Sequence, residues 1–195
     1  ALLRPGDCLV VNDSKVLPAR LRVRRPGGGQ SELLLLTPLG QGVWEAIVRP
    51  VRKLHPGMRL ELPGGAGEAE VLENAEHDQA NEHSSERTRR IRFHLNEDIL
   101  AFLERHGEMP LPPYILHERK ARGEAPGETP EDRVRYPTVY ASPTGSIAAP
   151  TAGLHFTPEV LNQIQLRGIE LRRVTLHVGI GTFEPITTGQ VESHV

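Results

Sequence analysis

The chain has 195 residues, enough for one domain or two small ones, with 37% hydrophobic residues, only 4% aromatic residues and a formal net charge of −2. No apolar run approaches the roughly 18 residues of a membrane helix, no charged-then-apolar leader opens the chain, and the lone cysteine, Cys8, excludes an intrachain disulfide and suits a reducing cytoplasm. The charge balance excludes a generally basic nucleic-acid binder, so any contact with RNA must come from a local patch. Lys is confined to Lys15, Lys53 and Lys120, and the rest of the 23 basic residues are Arg, whose planar fork suits phosphate contact.

In chain order, Arg4-Pro5-Gly6-Asp7 reads as a turn, and Leu9-Val10-Val11 as a buried strand carrying Cys8 as a buried thiol. Asn12-Asp13-Ser14-Lys15 follows that strand directly, where ligands sit in α/β folds; a turn capped by Asn and Asp is the structural alternative. Between residues 21 and 95 only strand signals occur, at 22–24, 32–36, 43–48, 59–62, 68–72 and 89–95, separated by Gly/Pro clusters such as His55-Pro56-Gly57-Met58. Short strands at such spacing predict a small antiparallel barrel, with polar residues 74–85 as a mobile hairpin tip. Arg20, Arg22 and Arg24 alternate and share one strand face, which reads equally as an RNA patch or as a solvated sheet face.

The texture changes at Asn96, which can cap a helix with Glu97 and Asp98 in its first turn, Ile99, Leu100 and Leu103 buried, and Gly107 as terminator. Glu108-Met109-Pro110-Leu111-Pro112-Pro113-Tyr114 reads as a stiff extended segment, either a pocket wall with Tyr114 available for stacking or a rigid connector. Residues 118–132 are charged and aperiodic, as in a flexible loop. A second helix spans 157–167, with Thr157 as cap, Pro158 at its first position, Glu159 in its first turn and Gly168 as stop. A strand over 169–178 follows. The expected fold is α+β or α/β: an open α/β barrel-like domain over 1–20 and 96–195, with a small antiparallel β-barrel domain inserted over 21–95.

Two runs carry the chemistry. Residues 145–153 lack bulky side chains apart from Ile147, so backbone amides can approach a ligand closely, and His155 ends the run before the second helix. Thr175-Leu176-His177-Val178-Gly179-Ile180-Gly181-Thr182-Phe183 repeats the logic of strand, His and two glycines. His155 and His177 are the acid/base candidates because imidazole titrates nearest neutrality; structural histidines bonded to backbone are the alternative. No nearby Cys or third His completes a metal set, so no metal is expected.

These two runs, together with Gly107–Ile115, Val11–Arg20 and the Trp44–Leu62 segment containing Val48-Arg49-Pro50 and Arg52-Lys53-Leu54, closely resemble the S-adenosylmethionine:tRNA ribosyltransferase-isomerase family of queuosine synthesis. The resemblance runs over most of the chain and implies the same two-domain arrangement. Family members extend beyond both ends, so the chain is expected to be incomplete there, with part of its site outside it. Arg135-Tyr136-Pro137-Thr138 also resembles a family segment, but Pro137 stands where Gln is expected, which weakens a ligand role there.

The resemblance implies an enzyme that uses S-adenosylmethionine as ribosyl donor, with no metal or redox cofactor. A proton leaves the ribose carbon beside the sulfonium, the aminomethyl group of a 7-deazaguanine at the tRNA wobble position receives the ribosyl unit, adenine and methionine depart, and an epoxycyclopentanediol results. Such a site needs a base, tolerance of the sulfonium and an acid for adenine. The candidates for catalysis are His155, His177 and Asp13, with the identity of the base left open, and those for substrate binding are Asn12, Lys15, Glu108, Tyr114, Ala149, Pro150, Thr151, Gly153, Gly179, Gly181 and Thr182. Arg20, Arg22 and Arg24 are the RNA-contact candidates. The partners are precursor-bearing tRNA and S-adenosylmethionine, with no membrane; the oligomeric state stays open. A noncatalytic RNA-binding module is the main alternative. An S-adenosylmethionine methyltransferase is disfavoured, because Asn12-Asp13-Ser14-Lys15 stands where a Gly-rich loop would follow the first strand.

Overall fold

A computed structural model describes residues 2–73, 88–124 and 127–179. The chain divides into two compact units, Ala1–Leu17 with Leu111–Val195, and Pro18–Pro110. The first is therefore assembled from two stretches of sequence that flank the second. The expected hairpin tip at 74–85 lies outside the described residues.

The central unit is a closed six-stranded antiparallel barrel. Its strands are β3 (Arg20–Arg24), β4 (Gln30–Gly40), β5 (Val43–Arg49), β6 (Arg59–Glu61), β7 (Gly67–Leu72) and β8 (Thr88–Leu95), closed in the order β3-β4-β5-β8-β7-β6. Alternation dictates which side chains fill it: Leu21, Leu33, Leu35, Ala46, Val48, Leu60, Val71 and Ile91 are fully enclosed. Charged residues at the intervening positions lie opposite one another across strands, Arg22 against Glu32, Glu32 against Arg49, Arg24 against Glu61, Arg59 against Glu70 and Glu45 against Arg90. The turn at His55–Met58 forms as expected, with Met58 N–H donating to the His55 carbonyl at 3.1 Å and Gly57 at φ +81°.

Helix α1 (Ile99–His106) belongs to this same unit. Its cap is Asp98 rather than Asn96: the Asp98 carboxylate accepts from the Leu100 and Ala101 amides at 2.9 and 3.1 Å. The two-residue shift changes the buried face to Phe102 and Leu103 and leaves Leu100 exposed. The helix ends where Gly107 turns to extended backbone, φ −77° and ψ 154°, and only glycine fits there, since an added Cβ would overlap the Pro18 carbonyl oxygen.

The flanking unit holds two short parallel sheets. Strand β1 (Cys8–Asn12) pairs with β10 (Glu170–Val174), and β2 (Lys15–Val16) with β9 (Thr144–Ser146). The expectation of a buried first strand is corrected here: Cys8 and Val10 are exposed and only Val11 is buried. Parallel strands are usually covered on both faces, but among the described residues β1 and β10 are each other's sole partners.

The expected loop at 118–132 is corrected too. Helix α2 (Pro113–Ala121) opens before it and α3 (Pro130–Arg135) closes it, so the extended Pro-rich segment stops at Pro112. The link is polar, which is why apolar periodicity gave no sign of it. Arg119 donates two hydrogen bonds to Asp132, at 2.7 and 2.5 Å, and one to the Gly127 carbonyl at 2.9 Å. The Thr129 amide and hydroxyl donate to the same carboxylate at 2.6 and 3.0 Å. Helix α4 (Pro158–Leu166) starts at its expected cap, Thr157. No helix among the described residues is long and apolar enough to cross a membrane.

Arg119 and the Thr129 donors hold the Asp132 carboxyl below its ordinary value of 3.8. A depressed carboxyl stabilises the fold above its unfolded pKa, and that stabilisation is lost as pH falls through the folded one. Stability of the wild type is therefore expected to decline once pH drops below about 4. Asp132→Asn should cost about 1.5–3 kcal/mol at neutral pH and flatten the acid decline, as read by urea unfolding at pH 7, 4 and 3. An unchanged acid slope in the variant would show that other carboxylates carry it.

Candidate functional site

The parallel pairing of β1 with β10 sends both strands out of the same end of their sheet, the end where α/β folds place ligands. Past that end the pairing is continued by side chains. The Asn12 amide mimics a strand: its Nδ2 donates to the Leu176 carbonyl at 2.9 Å, and its Oδ1 accepts from the Leu176 and Ser14 amides at 3.0 and 3.1 Å. Asp13, nearly buried at 8% exposure, accepts from the Thr175 hydroxyl through Oδ1 at 2.8 Å, and its amide donates to the Val174 carbonyl at 3.0 Å. Asn12 and Asp13 thus lock residues 12–14 against 174–176.

That lock delivers His177 to Ser14. The Ser14 hydroxyl lies 2.7 Å from His177 Nδ1 and 2.7 Å from the Ser146 hydroxyl, and the Val178 amide donates to Ser146 Oγ at 2.8 Å. Both serines are 1% exposed, whereas His177 is exposed. Gly145 makes the approach possible, since a Cβ there would lie 2.6–2.9 Å from three atoms of the imidazole. The half-buried Lys15 sits on β2, its amide donating to the Pro143 carbonyl at 2.7 Å.

From β9 the chain runs through buried Ile147, Ala148 and Ala149 to half-buried Pro150 and a 3-10 turn, Thr151–His155, in which Thr151 is exposed and Gly153 buried. Gly153 has no left-handed backbone. It is needed for space: a Cβ would overlap the Tyr140 hydroxyl and fall 2.7 Å from Thr138 Cγ2. The Tyr136 hydroxyl accepts from the Ala149 amide at 3.4 Å, and the Tyr140 ring meets Phe156 edge-on at 6.3 Å. Burial pushes both tyrosine hydroxyls above their ordinary pKa, so they remain neutral packing groups. His155 is exposed, and among the described residues no hydrogen bond ties it to Asp13 or His177.

The remaining sequence candidates lie elsewhere. Glu108 belongs to the barrel unit, where it forms a bridge with Arg20 and its carboxylate accepts from Arg22 Nε at 2.7 Å and from a second Arg22 nitrogen at 3.3 Å. That contact holds the Arg22 guanidinium further into its charged form. Arg20, Arg22 and Arg24 do share the outer face of β3, with Leu21 and Val23 turned inward. Tyr114 is exposed on α2, and Gly179 is exposed. Gly181 and Thr182 lie outside the described residues. Sequence reasoning passed over Ser14, Ser146, Thr175, Tyr136 and Tyr140. The available signal was that Ser14 and Ser146 each sit inside a run already singled out for other residues.

With this geometry in hand, the comparisons bear on family. A family model described as queuosine biosynthesis protein matches residues 1–195. A Trichlorobacter lovleyi protein is 45% identical over 193 residues, covering 99% of this chain and 51% of its own length. A Thermus thermophilus protein is 47% identical over 199 residues, covering 98% and 51%. Each bears the name S-adenosylmethionine:tRNA ribosyltransferase-isomerase. The chain spans about half the length of the curated relatives it matches. A solved structure of an S-adenosylmethionine tRNA ribosyltransferase from Thermotoga maritima is 27% identical and covers 90% of this chain and 42% of its own, with a TM-score of 0.37.

Gly153→Ala is expected to lower the melting temperature by several degrees through the clash with Tyr140 and Thr138, a cost of about 1–3 kcal/mol. Adding Tyr140→Phe, which removes the nearest atom, should restore part of that loss in a thermal melt. Equal melting temperatures for Gly153→Ala and wild type would show that the glycine is not there for packing.

Proposed function

Because the chain belongs to the queuosine biosynthesis protein family, we propose that it forms part of a cytoplasmic transferase that moves and isomerises the ribosyl group of S-adenosylmethionine. The acceptor is the aminomethyl group of a 7-deazaguanine at the tRNA wobble position, and adenine and methionine are released. The observation that carries this reading is the concentration of Asn12, Asp13, Ser14, Ser146 and His177 at one end of the β1–β10 pair. The relatives' shared name supports the choice of donor and acceptor. In fold terms we read the flanking unit as an open α/β barrel-like domain into which the barrel is inserted.

In this reading Asp13, His155 and His177 supply proton transfer and polarity at the reacting atoms. Lys15 and the loop Ala149–Gly153 hold the donor, with Pro150 and Thr151 at its open face. Asn12 has both ends of its amide committed to backbone, so its part in binding is to shape the site. Glu108 acts on the tRNA side, through Arg22, and Tyr114 from the surface of α2. Gly179, Gly181 and Thr182 complete the substrate-binding set. The test is mass analysis of the full-length protein with S-adenosylmethionine and precursor-bearing tRNA. Free adenine plus ribosyl-modified RNA is the expected result; a methylated RNA, or binding without adenine release, would overturn the reading.

Two variants extend that test. His155→Ala should abolish turnover with its circular dichroism and melting temperature unchanged, because the exposed imidazole makes no hydrogen bond among the described residues. Adenine release near the wild-type rate would remove His155 from the chemistry.

Changing Arg20, Arg22 and Arg24 together to Gln should weaken tRNA binding while leaving S-adenosylmethionine binding unchanged. The salt dependence should fall by no more than about 0.9 of slope for each phosphate that these arginines neutralise. Arg22→Gln alone should change it least, since Glu108 already neutralises that guanidinium. An unaltered slope in the triple variant would assign these residues to a solvated sheet face.

A further inference from the structure

The buried hydroxyl pair beneath His177 fixes more than the ring's position. One donor in the chain has a set direction: the Val178 amide can only donate, so Ser146 Oγ accepts from it at 2.8 Å. Ser146 then has one proton to place. Its only other partner among the described residues is Ser14 Oγ at 2.7 Å, in a pocket where both serines are 1% exposed. If Ser146 donates to Ser14, then Ser14 donates onward to His177 Nδ1 at 2.7 Å, and every proton in the chain has an acceptor. The opposite polarity has Nδ1–H donating to Ser14 and Ser14 to Ser146. That leaves the Ser146 proton buried with no acceptor, which costs the desolvation of that group. The first arrangement is therefore the stable one.

From this we infer that His177 meets its substrate as a neutral imidazole donating a hydrogen bond through Nε2–H, with Ser14 and Ser146 as the positioning residues that hold this tautomer. Nε2 has no partner among the described residues, and the ring lies over Gly145, where no side chain intervenes. A proton on Nδ1 would turn the Ser14 proton out of its bond and leave a buried hydroxyl proton without an acceptor, so the network opposes use of His177 as a base. The group it serves is a neutral or anionic acceptor, a ring nitrogen or a sugar oxygen. This rests on the proposed reaction for the identity of the substrate, but not for the state of the ring.

The test is nitrogen NMR on the full-length protein labelled in histidine, with His177→Gln used to assign the signal. The wild type should show Nδ1 unprotonated and displaced as a hydrogen-bond acceptor, with the proton on Nε2. Ser14→Ala should abolish the displacement, and Ser14→Thr, which keeps the hydroxyl, should preserve it. A proton on Nδ1 in the neutral wild type, or an Nδ1 signal indifferent to Ser14→Ala, would overturn the inference.

Kinetics give the second readout. His177→Ala should lose about 100- to 1,000-fold in kcat, the usual effect of removing one aimed donor, while His177→Gln, which retains an N–H in nearly the same place, should stay within about tenfold of wild type. Equal losses in the two variants would mean that His177 transfers protons. Absence of turnover in the wild type would sink the proposed reaction alone, because the NMR result decides the tautomer without it.

Discussion

The candidate site depends on one pairing, the parallel ladder that sets Cys8 against Glu170 and Asn12 against Val174. Its two strands lie far apart in sequence, with the whole barrel between them. Closing so long a loop carries an entropic cost that rises only slowly with length, but it must be met before any contact at the site exists. Five paired positions are few for that purpose. Asn12 and Asp13 lengthen the ladder with side chains, the first by copying a strand's donor and acceptor, the second by holding Thr175. Residues that look like ligand-binding polar groups are therefore also the fastening that sets Ser14 beside His177, while the pairing of β2 with β9 brings Ser146 to them.

The barrel answers to a different constraint. Its interior is set by strict alternation, and its exterior by charges that meet their opposites across neighbouring strands. Arg59 bonds to Glu68 at 3.2 Å, Arg92 lies 3.9 Å from Glu70, and Arg22 pairs with Glu108. Exposed pairs of this kind contribute little to stability, but they determine the electrostatic character of the surface. A stripe of three arginines is much less basic when acids stand opposite two of them, Glu32 against Arg22 and Glu61 against Arg24. An RNA backbone approaching this face would have to compete with carboxylates already in place, an exchange that lowers the net gain from each phosphate contact.

What was legible in the sequence was local. The Pro-Gly turns, the alternation of the barrel strands and the Thr157 cap each depend on residues within a few positions of one another, and they stand where the sequence puts them. The Asp98 cap was missed by two residues because Asn96, Glu97 and Asp98 offer adjacent acceptors, and only the buried face of Phe102 and Leu103 decides among them. Cys8 and Val10 look buried because apolar runs usually are; their exposure goes with a two-stranded sheet in which, among the described residues, β10 is the sole strand partner of β1, which no local pattern states. The link from α2 to α3 was invisible because it is held by Arg119 and Asp132, and a salt bridge has no periodicity. Ser14 and Ser146 went unremarked for the plainest reason: Ser14 meets Ser146 and His177 across 132 and 163 residues of sequence, and a serine announces nothing alone.

If His177 serves as a donor, the division of labour within the proposed reaction changes. Abstraction of a carbon-bound proton needs a base with a free lone pair in the site, and the hydroxyl chain withholds that role from His177. Two candidates remain. His155 is exposed and, among the described residues, no hydrogen bond fixes its ring in one geometry. Asp13 is the reverse: nearly buried, with Oδ1 committed to Thr175 and Oδ2 bonded to nothing among the described residues. A carboxyl group held by one oxygen and unbonded at the other among the described residues has a fixed orientation. Orientation is what a base for a carbon acid most requires, since proton transfer from carbon gains little from loose hydrogen bonding beforehand. Within the proposed reaction we therefore assign the base to Asp13 rather than to His155.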